Sequence, residues 1–122
     1  MGGFRRYAKN TMSWVTNTIL HLGLDDEGRI DLINEFFKGR QEFVSVDDEA
    51  LQRGWYGGYK MLEANLYLAA LNNVDISDLV THLRGIEFFA PSAVQLMVMD
   101  QEDSWFRLVN IFPEAQERDR KA

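Results

Sequence analysis

The chain has 122 residues, which is enough for one domain with its own hydrophobic core, and no cysteine, which excludes disulfides and thiolate chemistry. Its formal net charge is −6, from 13 Lys and Arg against 19 Asp and Glu. Residues 1–11 carry three bases and no acid, and residues 114–122 carry equal numbers of both, which leaves −9 for residues 12–113. A segment this acidic repels nucleic-acid phosphates and attracts a basic protein partner. The alternative is that the negative charge only keeps the protein soluble.

The composition predicts a cytoplasmic chain that does not enter a membrane. No apolar run approaches the roughly 18 residues that a membrane span needs. The basic N-terminal residues are not followed by an apolar region with a small-residue cleavage site, so they do not predict a secretory signal. We expect a basic N-terminal arm at residues 1–11, a single α+β domain at 12–113 and a charged, frayed C-terminal tail at 114–122.

The first two predicted elements are a strand and a helix. Residues 11–22 are rich in β-branched side chains and alternate in polarity, which predicts a strand that Gly23 ends. Asp25 and Asp26 are good N-caps, and apolar residues then recur at helical spacing up to Lys38. This pattern predicts a helix that ends at residues 38–39.

Two further strands follow, separated by an acidic loop and a glycine-aromatic segment (residues 54–60). Residues 42–46 predict a short strand. Residues 60–71 have apolar side chains at even positions, from Leu62 to Leu68, which predicts a central strand with that face under the helices and Tyr67 on the other side. The same residues are good helix formers, so a helix is the alternative.

The C-terminal half predicts a helix and a hairpin. Asp75 is an N-cap for a helix that Gly85 ends, and Pro91 prevents its continuation. Residues 93–99 and 105–112 predict two strands joined by a polar loop. The resulting order, β-α-β-β-α-β with an extra C-terminal strand, predicts a ferredoxin-like sandwich, in which two helices cover one face of an antiparallel sheet.

Catalytic and metal-binding patterns are weak. His21 and His82 are the only imidazoles, and no histidine or carboxylate spacing resembles a metal motif. The serines lack nucleophile surroundings. The sequence therefore predicts no catalytic residue, no metal and no cofactor.

The glycine-aromatic segment is the first candidate site. Two rings, flexible backbone and a cation lie close together in the sequence and would suit a planar anionic ligand; the residues concerned are Trp55, Tyr56, Gly57, Gly58 and Lys60. The alternative, which we favour slightly, is that Trp55 plugs the end of the core while the glycines allow a sharp turn.

The sheet face away from the helices is the second candidate. Methionine, aromatic and arginine side chains are enriched at protein interfaces, and the predicted register places such residues on this face, with the interface set being Met61, Tyr67, Met97, Met99, Trp105 and Arg107. The alternatives are that the final strands curl or that Phe4 and Tyr7 of the N-terminal arm fold over this face.

Three functions compete. The leading hypothesis is a non-enzymatic acidic binding or inhibitor protein that acts through protein–protein interaction, as toxin-immunity and phage anti-defence proteins do, with a basic partner or a second copy. The alternative is a small-ligand module that binds or sequesters a nucleotide-like anion at residues 55–60, alone or as an oligomer. The third is an enzyme that uses Glu63 or His21.

Overall fold

A computed structural model of the chain describes residues 14–47 and 64–121. In chain order its elements are β1 (Val15–Leu22), a 3-10 helix (Leu24–Arg29), α1 (Ile30–Asn34), a second 3-10 turn (Glu35–Phe37), β2 (Val44–Ser45), β3 (Asn65–Asn72), α2 (Ile76–Arg84), a third 3-10 turn (Pro91–Ala93), β4 (Gln95–Asp100), β5 (Arg107–Asn110) and α3 (Pro113–Lys121). The described chain is an α+β structure with three α-helices and one five-stranded antiparallel sheet.

The sheet has the strand order β2-β3-β1-β4-β5, so β1 is its central strand. In the middle of β1, Ile19 pairs with Leu68 of β3 on one side and with Met97 of β4 on the other. Residues 65–72 are a strand, as predicted, because the ladders of β3 with β1 and with β2 satisfy backbone groups that a helix would have satisfied internally.

The first helical segment (residues 24–37) and α2 cover one face of this sheet. Side chains from the first helical segment and α2 join the strands in a single buried cluster, whose largest members include Leu20, Leu22, Ile33, Phe37, Leu71, Leu79, Leu83 and Leu96. Asp75 caps α2 as predicted, since its Oδ1 accepts hydrogen bonds from the backbone N–H of Ser77 at 2.8 Å and of Asp78 at 3.4 Å. We call the other side of the sheet, on which no helix of the described residues packs, the open face.

Two buried threonines on β1 are hydrogen-bonded within the core. Thr16 Oγ1 donates to Asp100 Oδ1 at 3.0 Å, and Thr18 Oγ1 donates to the carbonyl of Ala69 at 2.7 Å. Both side chains lie on the helix-covered face, where an unpaired hydroxyl would be costly. Thr16 and Thr18 therefore do not mark the solvent face of β1.

The predicted orientation of β3 is wrong. Tyr67 and Leu71 are buried under the helices, whereas Leu68 is 40% exposed on the open face. The even positions form an apolar row as predicted, but that row belongs to the open face, and the tyrosine ring fills the core instead. Burial raises the pKa of Tyr67, and the nearby negative charge of Glu27 raises it further. A hydrogen bond with Asn65 lowers this pKa in part.

The boundaries of the first helical segment also differ from the prediction. It begins directly after Gly23 without a side-chain cap, and it alternates between 3-10 and α geometry. Asp26 is completely buried and binds a distant loop instead of capping the segment. The segment ends where predicted, with Lys38 in the left-handed region at φ 53° and Gly39 at φ 80°.

The C-terminal residues form a helix, not the frayed tail that was predicted. β5 ends at Asn110, and α3 follows at once with Pro113 in its first turn, where proline is favoured. Ala115 is buried, and Gln116 Nε2 donates to the carbonyl of Ser92 at 3.1 Å. These contacts fix a segment whose sequence has almost no apolar pattern.

Candidate functional site

The glycine-aromatic segment lies outside the described residues. This holds for Trp55, Tyr56, Gly57, Gly58, Lys60 and the neighbouring Met61. The small-ligand site at residues 55–60 therefore stays a prediction, as does the alternative that Trp55 plugs the core. The same applies to Glu63 and to the N-terminal arm.

The open face carries an apolar row that crosses the whole sheet. Strand pairing aligns the row in the order Val44 (β2), Leu68 (β3), Ile19 (β1), Met97 (β4) and Leu108 (β5). Leu68, Met97 and Leu108 are 40%, 38% and 53% exposed, respectively. Apolar side chains in one contiguous exposed row on a sheet indicate an interaction surface more than scattered ones do.

The described strand residues of the open face include no Asp, Glu, Lys or Arg. The neighbours of the row are amide, imidazole, aliphatic and thioether side chains, and the full set of described strand residues on this face is Val15, Asn17, Ile19, His21, Val44, Leu66, Leu68, Ala70, Asn72, Gln95, Met97, Met99, Leu108 and Asn110. Phe106 lines, with Ile19 and Leu68, a shallow depression of about 390 Å³ on the same side. A sheet face whose described strand residues include no Asp, Glu, Lys or Arg is unusual on a chain with a net charge of −6.

The predicted interface set is divided by the structure. Met97 and Met99 lie on the open face. Tyr67 does not, because it is buried in the core, and Arg107 does not, because it pairs with Val98, which points under the helices. Trp105 lies in the β4–β5 loop and is 75% exposed. In β3 and β5 the prediction assigned the alternating residues to the wrong faces, because successive side chains of a strand point to opposite sides.

A second surface, on the helix side, was not predicted. It is built around Asp26, whose Oδ1 accepts from the backbone N–H of Phe89 at 2.8 Å and whose Oδ2 accepts from that of Ala90 at 2.9 Å. This pair of bonds ties the loop after α2 to the turn after β1. The approach is close, since a Cβ on Gly23 would lie 3.0 Å from the Cβ of Ala90.

Two apolar side chains near the Asp26 bonds lie in solvent. Leu24 and Phe89 are each 71% exposed. The guanidinium carbon of Arg29 lies 4.9 Å from the centroid of the Phe89 ring, and Arg29 Nε donates to the carbonyl of Glu87 at 2.9 Å. Phe89 is therefore fixed by its own backbone and by the cation on its ring.

Exposed carboxylates lie along the helical segment that carries Leu24 and Arg29. Residues 24–37 contain five acids and one base, a net charge of −4, and all the acids except Asp26 are exposed. We call this surface the Phe89 patch, and it comprises Leu24, Asp25, Glu27, Arg29, Asp31 and Phe89. A sequence signal for it existed in the run Asp25-Asp26-Glu27, but helix capping explained that run equally well.

The two histidines are engaged in structural hydrogen bonds. His21 Nδ1 lies 2.6 Å from the carbonyl oxygen of Ala93, and His82 Nε2 lies 2.8 Å from that of Leu32. A carbonyl oxygen only accepts, so each of these nitrogens carries the proton. Within residues 14–47 and 64–121, no three His, Asp or Glu side chains are grouped closely enough to hold a metal ion.

A groove of about 610 Å³ lies between the end of α2 and the start of α3. Phe88 and Phe112 form its apolar wall, and its charged residues are balanced, with Arg84 and Arg118 against two glutamates. Arg84 already donates through Nε to the carbonyl of Ile111 at 2.9 Å. The groove therefore has no net charge with which to select an ionic ligand.

Comparisons with known proteins give no relative: no protein-family model, curated protein or solved structure matches this chain. None of the helices in the described part of the chain has the length and apolar character needed to cross a membrane. The open face and the Phe89 patch are therefore the features from which a function can be proposed.

Proposed function

We propose that this chain is a non-enzymatic acidic binding protein that acts by occupying a basic protein partner, as toxin-immunity proteins and phage inhibitors of host defence do. The observation that carries the proposal is the Phe89 patch: two apolar side chains, each 71% exposed, together with the exposed carboxylates of Asp25, Glu27 and Asp31. Leaving such groups in water costs free energy that a partner would recover.

The geometry of the patch favours a protein partner. Binding energy at protein interfaces concentrates in a few aromatic and aliphatic anchors that enter pockets of the other molecule. Phe89 is suited to this role because the Asp26 carboxylate and the Arg29 guanidinium already fix its backbone and ring. A fixed side chain loses less conformational entropy on binding than a mobile one.

The charge of the patch favours a basic partner. Asp25, Glu27 and Asp31 are exposed, and the cation of Arg29 is already directed to the Phe89 ring and the Glu87 carbonyl. The carboxylates therefore remain available to lysines or arginines of another molecule. Complementary charge at the rim of an interface raises the association rate and rejects acidic competitors.

The proposal is tested by photo-cross-linking in cells that express the protein. A photoreactive phenylalanine analogue at position 89 should capture a basic protein. The same analogue at exposed Thr81 of α2 should not capture it, since that position lies off the patch. Capture should be lost when Asp25→Lys and Glu27→Lys are combined.

The matched control places the same charge change elsewhere. Glu102→Lys with Asp119→Lys alters two exposed acids off the patch by the same total charge, and it should leave capture at position 89 unchanged. Equal loss in both double variants would mean that only net charge matters. The Phe89 patch would then have no specific role, and the proposal would fail.

We also infer that the fold is the ferredoxin-like sandwich extended by one strand. The five-strand order differs from that of the four-stranded sandwich because β5 is added beside β4. Without β5 the order is β2-β3-β1-β4, with the first and third strands as neighbours in the middle, which is the arrangement that the element order predicts. A structure determined by experiment, with β3 between β1 and β2, would support this inference.

A further inference from the structure

We infer that the open face is the interface between two copies of this chain. The inference goes beyond the proposed function, because it concerns the side of the sheet opposite the helices and does not depend on a basic partner.

The first argument is the continuity of the apolar row. The row runs from Val44 at one edge of the sheet through Ile19 to Leu108 at the other, without a charged residue in the described strands. Antiparallel sheets with one face in water normally place polar side chains on that face. Here the central row of the open face is apolar as well, so this row resembles the inner face of a two-sheet sandwich, which packs against a second sheet about 10 Å away.

The second argument is charge, which selects the occupant. A basic partner would find no carboxylate on the described part of this face, and it would find several on the Phe89 patch. A second copy carries the same net charge of −6 and is repelled wherever carboxylates meet. The open face is where two acidic copies can come into contact without opposing like charges.

The third argument is area. In sheet order the five strands contain 2, 8, 8, 6 and 4 residues. At about 3.3 Å per residue and about 4.8 Å between strands, they give each copy a face of about 450 Å². Two such faces together remove about 900 Å² from water, which is close to the lower limit of about 1,000 Å² for a specific interface. Phe106 lines a depression on this face, and side chains of a second copy can fit into it.

Symmetry then makes a specific prediction about Ile19. Two identical sheets that face each other are related by a two-fold axis lying between them. Because β1 is the central strand and Ile19 the central residue of the row, an axis over β1 places Ile19 opposite Ile19 of the partner subunit, whether the axis runs along the strands or across them.

The experiment measures the mass of the full chain by sedimentation equilibrium, with its fold checked by circular dichroism. Wild-type protein should have twice the monomer mass at about 100 µM. Ile19→Glu and Ile19→Lys should each weaken the dimer by at least about 100-fold, since each buries two opposed like charges. An equimolar mixture of the two variants should form a heterodimer.

Leu32→Glu is the matched control, because Leu32 is a leucine of similar exposure, 44%, on the helix side. It should leave the dimer constant unchanged. Should the Ile19 variants fail to fold, Met97→Glu, at a 38% exposed position, replaces them.

Several outcomes would overturn the inference. A wild-type monomer at all concentrations would do so, as would a dimer that tolerates both Ile19→Glu and Met97→Glu. Hydroxyl-radical footprinting of Met97 and Met99 distinguishes a second copy from the chain's own residues as the group that covers the open face. Protection that rises with protein concentration supports the second copy, whereas protection in a monomer means that the chain's own residues cover the face.

Discussion

Asp26 should be one of the most important polar residues for the stability of the described fold. Its carboxylate is completely buried and accepts backbone hydrogen bonds from Phe89 at 2.8 Å and Ala90 at 2.9 Å. Asp26→Ala removes both acceptors and leaves the two backbone N–H groups without these partners. We therefore expect this single substitution to reduce the stability of the fold strongly.

The magnitude follows from the two bonds. A hydrogen bond to a charged group contributes about 1.5–3 kcal/mol, so losing two should reduce the free energy of unfolding by about 3–5 kcal/mol. Asp26→Asn should cost less, about 2–3 kcal/mol, because its amide keeps one acceptor but turns its NH₂ group toward the other backbone donor.

Urea denaturation followed by circular dichroism measures these differences. For a chain of this size the slope is about 1–2 kcal/mol per M, so Asp26→Ala should lower the midpoint by about 2 M or more. Asp25→Ala is the control, since Asp25 is exposed and should change stability by less than about 0.5 kcal/mol. If Asp26→Ala and Asp25→Ala had the same midpoint, the two Asp26 bonds would not stabilise the fold.

Three further substitutions test other parts of the structure. Gly23→Ala should cost about 1–3 kcal/mol in urea denaturation, because its Cβ would lie 3.0 Å from that of Ala90; an unchanged midpoint would contradict this. Asp75→Ala should remove the cap of α2 and cost about 1 kcal/mol, whereas Asp75→Asn should retain most of it. The pKa of Tyr67 is raised in the folded state, so the unfolded state ionises first and stability should fall as pH rises above about 10, by up to about 1.4 kcal/mol per pH unit. Tyr67→Phe should reduce that slope, and an identical slope in both proteins would refute the assignment.

The elements of the fold could be predicted because each has a local cause. Asp75 caps α2 by accepting from two N–H groups within three residues, and Gly39 permits the left-handed turn after the first helical segment. Hydrophobic alternation identified β3 as a strand despite its helix-forming composition. These signals act over a few residues, so a single sequence contains them.

The orientation of the strands could not be predicted in the same way. Period-two alternation indicates which residues share a face, but it does not say which face is covered when both are apolar. Leu68 and Tyr67 are both plausible core residues, and only packing against the helices selects the tyrosine. The same holds for α3, where burial of Ala115 against the turn before β4 orders a charged segment.

The Phe89 patch was missed because its defining contacts are long-range. Asp26 and Phe89 are 63 residues apart, and nothing in either local sequence indicates that they meet. The run of acids suggested capping, which is the commoner local role of aspartate before a helix. Only the structure shows that one carboxylate is buried and that its neighbours remain in solvent.

The separation of charge between the two surfaces leads to a last prediction. Raising NaCl from about 50 to about 500 mM screens the repulsion between two copies of net charge −6, so the wild-type dimer should tighten. The same change screens attraction at the Phe89 patch, so capture of a basic partner should weaken. Sedimentation equilibrium and cross-linking yield, measured over one salt series, give both dependences. If salt moved the two in the same direction, charge would not distinguish the occupants of the two surfaces, and the assignment of the open face to a second copy would lose its electrostatic basis.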